Sequence, residues 1–150
     1  EIAAEALGIS VERAQDEEIV CVSENDACGV DCIQFILSCT VGKGNLLFRP
    51  TGKQAYSFFD RNSGRSVRLV LKDLSRDAGR EELIDNLLNG PADKIFDAKA
   101  PHFAVPEKAR IFNSVICDGC GESAREDKIR LDGEKKLCLD CYKEYFRSFL

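Results

Sequence analysis

Apolar residues recur along this chain at two spacings, and the switches between them mark its elements. Residues 1–7 (Glu-Ile-Ala-Ala-Glu-Ala-Leu) read as the end of a helix closed by Gly8. Ile19, Val20 and Val22 form a β-branched run that predicts a strand. Asn25 and Asp26 then offer side-chain oxygens to unpaired backbone donors and predict a helix over 27–38. A short strand is expected at 46–49 and a turn at Pro50-Thr51-Gly52. Residues 54–59 and 66–71 alternate apolar and polar around Asn62-Ser63-Gly64, which predicts a β-hairpin. Leu83, Ile84, Leu87 and Leu88 lie at helical spacing before Asn89-Gly90-Pro91, so an amphipathic helix over 77–88 should stop sharply and pack on the sheet. One helical turn is expected at 92–96. From 97 to 106 both periodicities fail, two prolines intervene and a new cysteine pattern follows, so the stretch is the predicted domain boundary. The fold class is α+β: a small core of mixed helix and antiparallel sheet at 1–106, with a small cysteine-bearing domain appended at 107–150.

The 150 residues, 44% apolar, can form one core of ordinary size and a small satellite. No apolar run nears the roughly 20 residues that span a bilayer, and no secretory leader is read before the first helix. The expectation is a folded, soluble, cytoplasmic protein with no membrane partner. The first residue is Glu, and the opening helix reads as one already under way, so the core is expected to be an N-terminally incomplete piece of a longer product. Net charge is −5, unevenly spread. Residues 1–31 hold nine acidic side chains and one arginine, whereas 42–72 hold seven basic ones against Asp60 alone. The basic hairpin is expected to flank the cleft opposite the acidic segment, either as an anion-favouring surface or as a set of solvated or paired arginines.

The eight cysteines are clustered as C-x-x-C rather than spread, which favours metal and thiolate chemistry over a disulfide framework. Cys117-Asp-Gly-Cys120 and Cys138-Leu-Asp-Cys141 stand seventeen residues apart, inside the spacing range of a four-thiolate zinc site. Each pair brings two sulfurs within reach of Zn2+ at about 2.3 Å, and Gly119 and Gly121 permit the tight turn. Residues 128–137 predict a hairpin turning at Asp132-Gly133, and a helix at 139–149 would carry the second pair at its start, with Tyr142, Tyr145, Phe146 and Phe149 as an aromatic stripe. Four thiolates close the coordination sphere, so this zinc is read as structural rather than catalytic. Residues 107–150 hold nine basic and nine acidic side chains, which leaves no electrostatic footprint for phosphates and makes nucleic acid an unlikely partner.

The first half offers a second set of thiols. On a helix over 27–38, Cys28, Cys32 and Cys39 would fall within about 40° of one face, with Phe35 beside them. Cys28 and Cys39 would stand roughly 16 Å apart along the axis, too far to share an ion. Cys28 and Cys32 are one turn apart, and a metal there would need ligands from elsewhere. The other reading of these thiols is as small buried hydrophobes. Val41-Gly-Lys-Gly-Asn45 reads as a turn that could expose backbone N–H groups to an anion, without the P-loop pattern. His102, the single histidine, is read as a surface side chain in a proline-rich stretch.

Glu24-Asn25-Asp26-x-Cys28-x-Val30-Asp31-x-Ile33-Gln34, Cys39-Thr40-x-Gly42-Lys43-Gly44-Asn45 and Gly52-Lys53-Gln54-x-Tyr56 together resemble the E-subunit family of formylmethanofuran dehydrogenase. The resemblance implies an α+β core that binds a metal in a cleft, a treble-clef zinc finger appended in several members, and an operon encoding a molybdenum or tungsten enzyme of methanogenesis. It implies that Cys28 belongs to the cleft, with Cys39, Asn25, Asp26 and Lys43 as the other candidate cofactor-binding residues and Cys21 and Cys32 as packing residues. The family's His-Gly-His-x-Cys-Pro-Gly motif, which stands just before the first helix, has no counterpart in this chain. A second metal ion in the core is therefore expected only with an upstream segment. Three functions fit: a zinc-binding accessory or metal-handling protein of anaerobic one-carbon metabolism, acting as a homodimer or within an enzyme complex; a metal-dependent enzyme using a thiol or metal in the core cleft; or a non-enzymatic zinc-finger adaptor for protein partners.

Overall fold

Strand β1 (Ile19–Ser23) is buried at all five positions because both faces of its sheet are covered. The computed structural model describes residues 2–10, 12–73 and 79–145, apart from the side chains of Arg80 and Leu83. Within them β1 pairs in parallel with β2 (Leu46–Phe48) and antiparallel with β3 (Ala55–Asp60). Antiparallel pairing continues through β4 (Ser66–Leu71) to β5 (Phe96–Lys99), giving the order β2-β1-β3-β4-β5. The one parallel pair follows from connectivity. Parallel neighbours need a long crossover, and α2 (Gly29–Leu37) supplies it.

Alternation sorts the side chains. Ile19, Cys21, Phe58, Val67 and Leu69 point to the helix side, where they form one apolar cluster with Ala3 and Leu7 of α1 (Ile2–Leu7) and Val30, Ile33 and Leu37 of α2. Val20, Val22 and Phe59 point the other way, under Leu47 and Phe103. The rings of Phe59 and Phe103 lie 5.9 Å apart, and the Arg49 guanidinium sits 5.2 Å from the Phe103 centroid. The proline-rich stretch is thus partly structured. Its start forms β5, and its end is held by Arg61 Nη2 donating to Pro106 O (2.8 Å) and Ala109 N donating to Glu17 Oε1 (3.1 Å). β5 escaped the sequence reading because Phe-Asp-Ala-Lys is too short and too polar to show a period.

The hairpin, the Gly8 stop and the turn at 92–95 fall where the sequence puts them, with Gly8 N donating to Glu5 O at 2.9 Å. Helix α3 (Arg80–Asn89) occupies most of the predicted 77–88, whose first two residues lie outside the described ones. Helix α4 (Ala92–Ile95) is a single turn leading into β5. None of the helices among the described residues is long and apolar enough to cross a membrane.

The chain divides into two compact units, Glu1–Ala109 and Arg110–Leu150. The second consists of two small hairpins, β6 (Ser114–Ile116) with β7 (Ser123–Arg125), and β8 (Ile129–Asp132) with β9 (Lys135–Cys138), joined by a 3-10 turn at Glu126–Lys128. The hairpin predicted around Asp132-Gly133 is present. The helix predicted at 139–149 is not formed over 139–145, which make a turn and then a stretch without regular secondary structure; 146–150, with Phe146 and Phe149 of the aromatic stripe, lie outside the described residues. Tyr142 is partly buried and Tyr145 is 83% exposed, so these two do not act as one stripe.

Candidate functional site

The second unit is too small to carry much apolar core, and Cys117 and Leu137 are its only buried apolar side chains among the described residues. Its order comes from a loop that closes on itself. Cys117 N donates to Glu122 O (2.9 Å) and Gly121 N to Cys117 O (2.8 Å), which folds the first C-x-x-C into a knuckle between β6 and β7. Asp118 ties the knuckle to the second hairpin twice, its N–H donating to Lys136 O (2.9 Å) and its Oδ2 accepting from Lys136 N (2.7 Å). The second pair sits at the end of β9 in its own tight turn, where Cys141 N and Tyr142 N both donate to Cys138 O.

The result is convergence of Cys117, Cys120, Cys138 and Cys141, with all four sulfurs within 4.8 Å of one another. A tetrahedral zinc with 2.3 Å bonds places its sulfurs about 3.8 Å apart, so the set closes on an ion with small side-chain adjustments. Gly119 is part of the fit: a Cβ there would lie 3.0 Å from Cys141 Cβ and 3.1 Å from its sulfur. A side chain there would press Cys141 away by a few tenths of an ångström, so glycine lets the knuckle approach this closely without displacement. Backbone amides already favour one thiolate. Hydrogen bonds from Cys138 N (3.2 Å) and Gly119 N (3.4 Å) help to pull Cys117 down to about 6, the Cys138 amide foremost. Cys141 is pushed up to about 12, chiefly by hydrogen bonding with Cys138 and then with Cys120 and Cys117. Four clustered sulfurs cannot all ionise without a cation between them, so a bound divalent ion is what the donor set calls for.

The candidate residues of the first unit do not converge. Helix α2 ends at Leu37 because Ser38 turns left-handed (φ 56°). Cys39 therefore leaves the helical face and enters the core, fully buried, its thiol 3.5 Å from Ile19 O. Burial pushes it up to about 11, and Cys21, equally buried, well above the usual thiol range. Lys43 is occupied as well, its Nζ donating to Ala14 O (2.6 Å) and Ser38 Oγ (3.2 Å) across the C-terminal end of α2. The Gly-Lys-Gly loop is a clip, not an anion cradle. Its anchor is Asn45, fully buried, which accepts from Thr40 N (2.8 Å) and donates to Ile19 O (3.0 Å) and Asp16 O (3.2 Å).

Asn25 is also a structural residue: its Oδ1 accepts from Ala27 N (3.0 Å) and its Nδ2 donates to Lys53 O (2.8 Å), in a turn that precedes α2 by two residues more than expected. Asp26 and Cys28 are exposed beside it. Cys32, expected in the packing, is exposed too and lines a groove of about 640 Å³ between α1, α2, α3 and the sheet. The groove wall is apolar, with Ile33, Phe58 and Leu69 among its residues, and Gln54 and Tyr56 at one end. The Tyr56 hydroxyl reaches Asn25 Oδ1 (3.3 Å) and crosses so close over Gly29 that any side chain there would collide with it. The composition of the groove could not be read from the sequence, although Gln54 and Tyr56 stood in the motif.

The hairpin arginines do meet the acidic segment, but not across the cleft. Arg68 lies on the Phe103 side of the sheet, away from α2, because it pairs with Ser57, one position out of register with Phe58. There it donates to both oxygens of the fully buried Glu24 (2.6 and 3.0 Å), which also accepts from Thr51 Oγ1 (2.9 Å). Arg61 pairs with Glu17 at 3.7 Å, and Arg65 donates to Gly8 O at 3.2 Å. His102 is exposed.

Comparison with known proteins assigns both halves. The family described as FmdE, molybdenum formylmethanofuran dehydrogenase operon, matches residues 1–115, and the prokaryotic dksA/traR C4-type zinc finger matches 110–145. A curated relative from Archaeoglobus fulgidus, named a probable S-adenosyl-L-methionine-binding protein, is 27% identical over 175 aligned positions, covering 97% of this chain and 47% of the relative. The chain thus spans about half the length of that relative. The crystal structure of a tungsten formylmethanofuran dehydrogenase FmdE-like protein from Syntrophus aciditrophicus shares the fold, with a TM-score of 0.60 and 23% identity over 93% of this chain and 76% of the other.

Proposed function

The chain belongs to the FmdE family, and from that membership together with the four-cysteine cluster we propose that it is a zinc-binding accessory protein, handling a metal or cofactor for the anaerobic one-carbon chemistry of a formylmethanofuran dehydrogenase operon. The observation that carries the zinc assignment is the convergence of four sulfurs within 4.8 Å in a segment matched by a C4 finger. Cys117, Cys120, Cys138 and Cys141 would hold the ion and leave no open position, so the zinc supplies folding free energy and a fixed surface rather than a reacting group. Partners in this reading are a second copy of the chain or other components of the enzyme complex, in the cytoplasm. Phe35 and Leu88, each 77% exposed on the first unit, and Ile111 on the second are the apolar groups available for such contacts.

Two other readings find less support. A thiol-and-metal enzyme needs a third ligand near Cys28, and among the described residues no other group of three or more His, Cys, Asp and Glu side chains converges. S-adenosyl-L-methionine binding, suggested by the relative's name, would bring a sulfonium cation and an amino-acid head, yet no charged side chain lines the described groove.

Elemental analysis tests the metal part: purified protein should carry one zinc per chain, and Cys117→Ser should lose it. The accessory role is tested by affinity capture of the tagged protein from its own cells, which should bring down components of formylmethanofuran dehydrogenase in a zinc-dependent manner. Zinc-loaded protein that captures none of them would leave the metal site standing and remove the role.

A further inference from the structure

We propose that the turn end of the β3–β4 hairpin is an anion site for a small phosphate monoester, with Arg61, Arg65 and Lys108 around the phosphoryl group. These three side chains line one hollow of about 320 Å³ within the first unit. Its walls are fixed to each other. Arg61 donates from Nε to Glu17 O (3.0 Å) and from Nη2 to Pro106 O (2.8 Å), which joins the hairpin turn to the stretch carrying Lys108. Ala109, the next residue, is held in turn by its N–H on Glu17 Oε1 (3.1 Å). Arg65 donates to two neutral acceptors, Ser63 Oγ (3.1 Å) and Gly8 O (3.2 Å), and Lys108 is exposed. The carboxylates nearby are engaged elsewhere. Asp60, which also lines the hollow, accepts from Asn62 N (2.9 Å) and Ser63 Oγ (2.5 Å) and so closes the turn. Glu17 faces Arg61 at 3.7 Å. Among the described residues no carboxylate stands in ion-pair contact with Arg65 or Lys108, so the hollow keeps an excess of positive charge.

The number of cations selects the ligand. One guanidinium fork satisfies a carboxylate, whereas three cationic groups from three chain positions match the terminal oxygens of a phosphate, which is largely a dianion above a second pKa of about 6. The apolar residues of the hollow select the ester. Val105, 44% exposed, and the buried Phe59 give an organic substituent a wall to lie against. No exposed aromatic ring lines the hollow for base stacking, so a small ester suits it better than a nucleic-acid strand. The proposal concerns binding alone, with no bond made or broken.

The probes are phenyl phosphate and inorganic phosphate, each titrated into the zinc-loaded full chain in a phosphate-free, mildly alkaline buffer of low salt. Calorimetry should read one site per chain, with phenyl phosphate held about fivefold or more tighter because its ring covers Val105. Added salt should weaken both. Arg65→Gln should lower the affinity about tenfold and the exposed Lys108→Gln about threefold or more, while Lys135→Gln, an exposed lysine of the second unit, should leave it unchanged. Equal weakening in all three variants would reduce the effect to net charge and overturn the site. Equal affinity for the two probes would overturn the ester, and succinate bound as tightly as phenyl phosphate would overturn the phosphate. Should a variant fold poorly, amide shifts on the unaltered chain decide: phenyl phosphate should move Gly64, Arg65 and Lys108, and shifts confined to other residues would overturn the site.

Discussion

Glu24 shows how a residue that looks functional in the sequence can belong to the scaffold. It opens a family motif, yet it is fully buried and fixed by Arg68 and Thr51. The Arg68 guanidinium, working against burial, holds its carboxyl down at about 2 from the usual 4.5. The folded state therefore binds this proton more weakly than the unfolded chain. The stability from the pair is fully present above about pH 4.5 and is lost as pH falls toward 2, roughly 3 kcal/mol over that window. Arg68→Met should destabilise the first unit by about 3–5 kcal/mol at pH 7, since it strands a buried carboxylate, and it should flatten the acid-dependent loss. Hydrogen exchange of β1 and β3 amides at pH 7 and pH 3 measures both effects; a variant with wild-type protection at pH 7 would remove the pair from the stability of the sheet.

At the scale of elements, period and turn chemistry were legible and endpoints were not. The hairpin 55–71 announced itself through alternation around a glycine turn, and α1 through Gly8. Helix α2 was read two residues too long at its start and one at its end, and the error at the end carried Cys39 onto the wrong face, because nothing in Leu-Ser-Cys marks Ser38 as left-handed. The clip after it explains the stop. Arg13 donates to Phe35 O, Lys43 reaches Ser38 Oγ, and Asn45 gathers Thr40, Ile19 and Asp16. Asn45→Ala would remove the donors to Ile19 O and Asp16 O and the acceptor for Thr40 N, and should cost on the order of 1–3 kcal/mol. Asn45→Asp should be at least as damaging at neutral pH, because a carboxylate cannot donate to the Ile19 and Asp16 carbonyls. Urea midpoints of the two variants against the parent check the order; parity of both with the parent would make the clip incidental. Such tertiary bonds join residues 26 and 29 positions apart, which no local pattern reports.

Across the whole molecule the two units draw their order from different sources. The first buries a two-sided sheet, and its apolar clusters include some of the bulkiest fully buried side chains, Leu7, Leu46 and Val20. Among its described residues the second buries little beyond Leu137 and Cys117, and its four sulfurs were the most legible site in the sequence, because C-x-x-C spacing fixes the turn geometry by itself. A module of this kind gains from zinc on the order of 10 kcal/mol of binding free energy, far more than its side-chain burial can supply. A chelator strong enough to strip zinc at pH 7 should therefore abolish amide protection across 114–138 while leaving β1, β3 and β4 protected as before. Acid should do the same in part, since protonating the thiols competes with the ion, and the second unit should lose protection at a higher pH than the Glu24–Arg68 pair does. Segment-resolved hydrogen exchange with and without chelator reads both units in one experiment. Persistence of protection at 114–138 after the metal is gone would mean that the knuckle hydrogen bonds, Cys117 N to Glu122 O and Asp118 with Lys136, hold the finger without an ion.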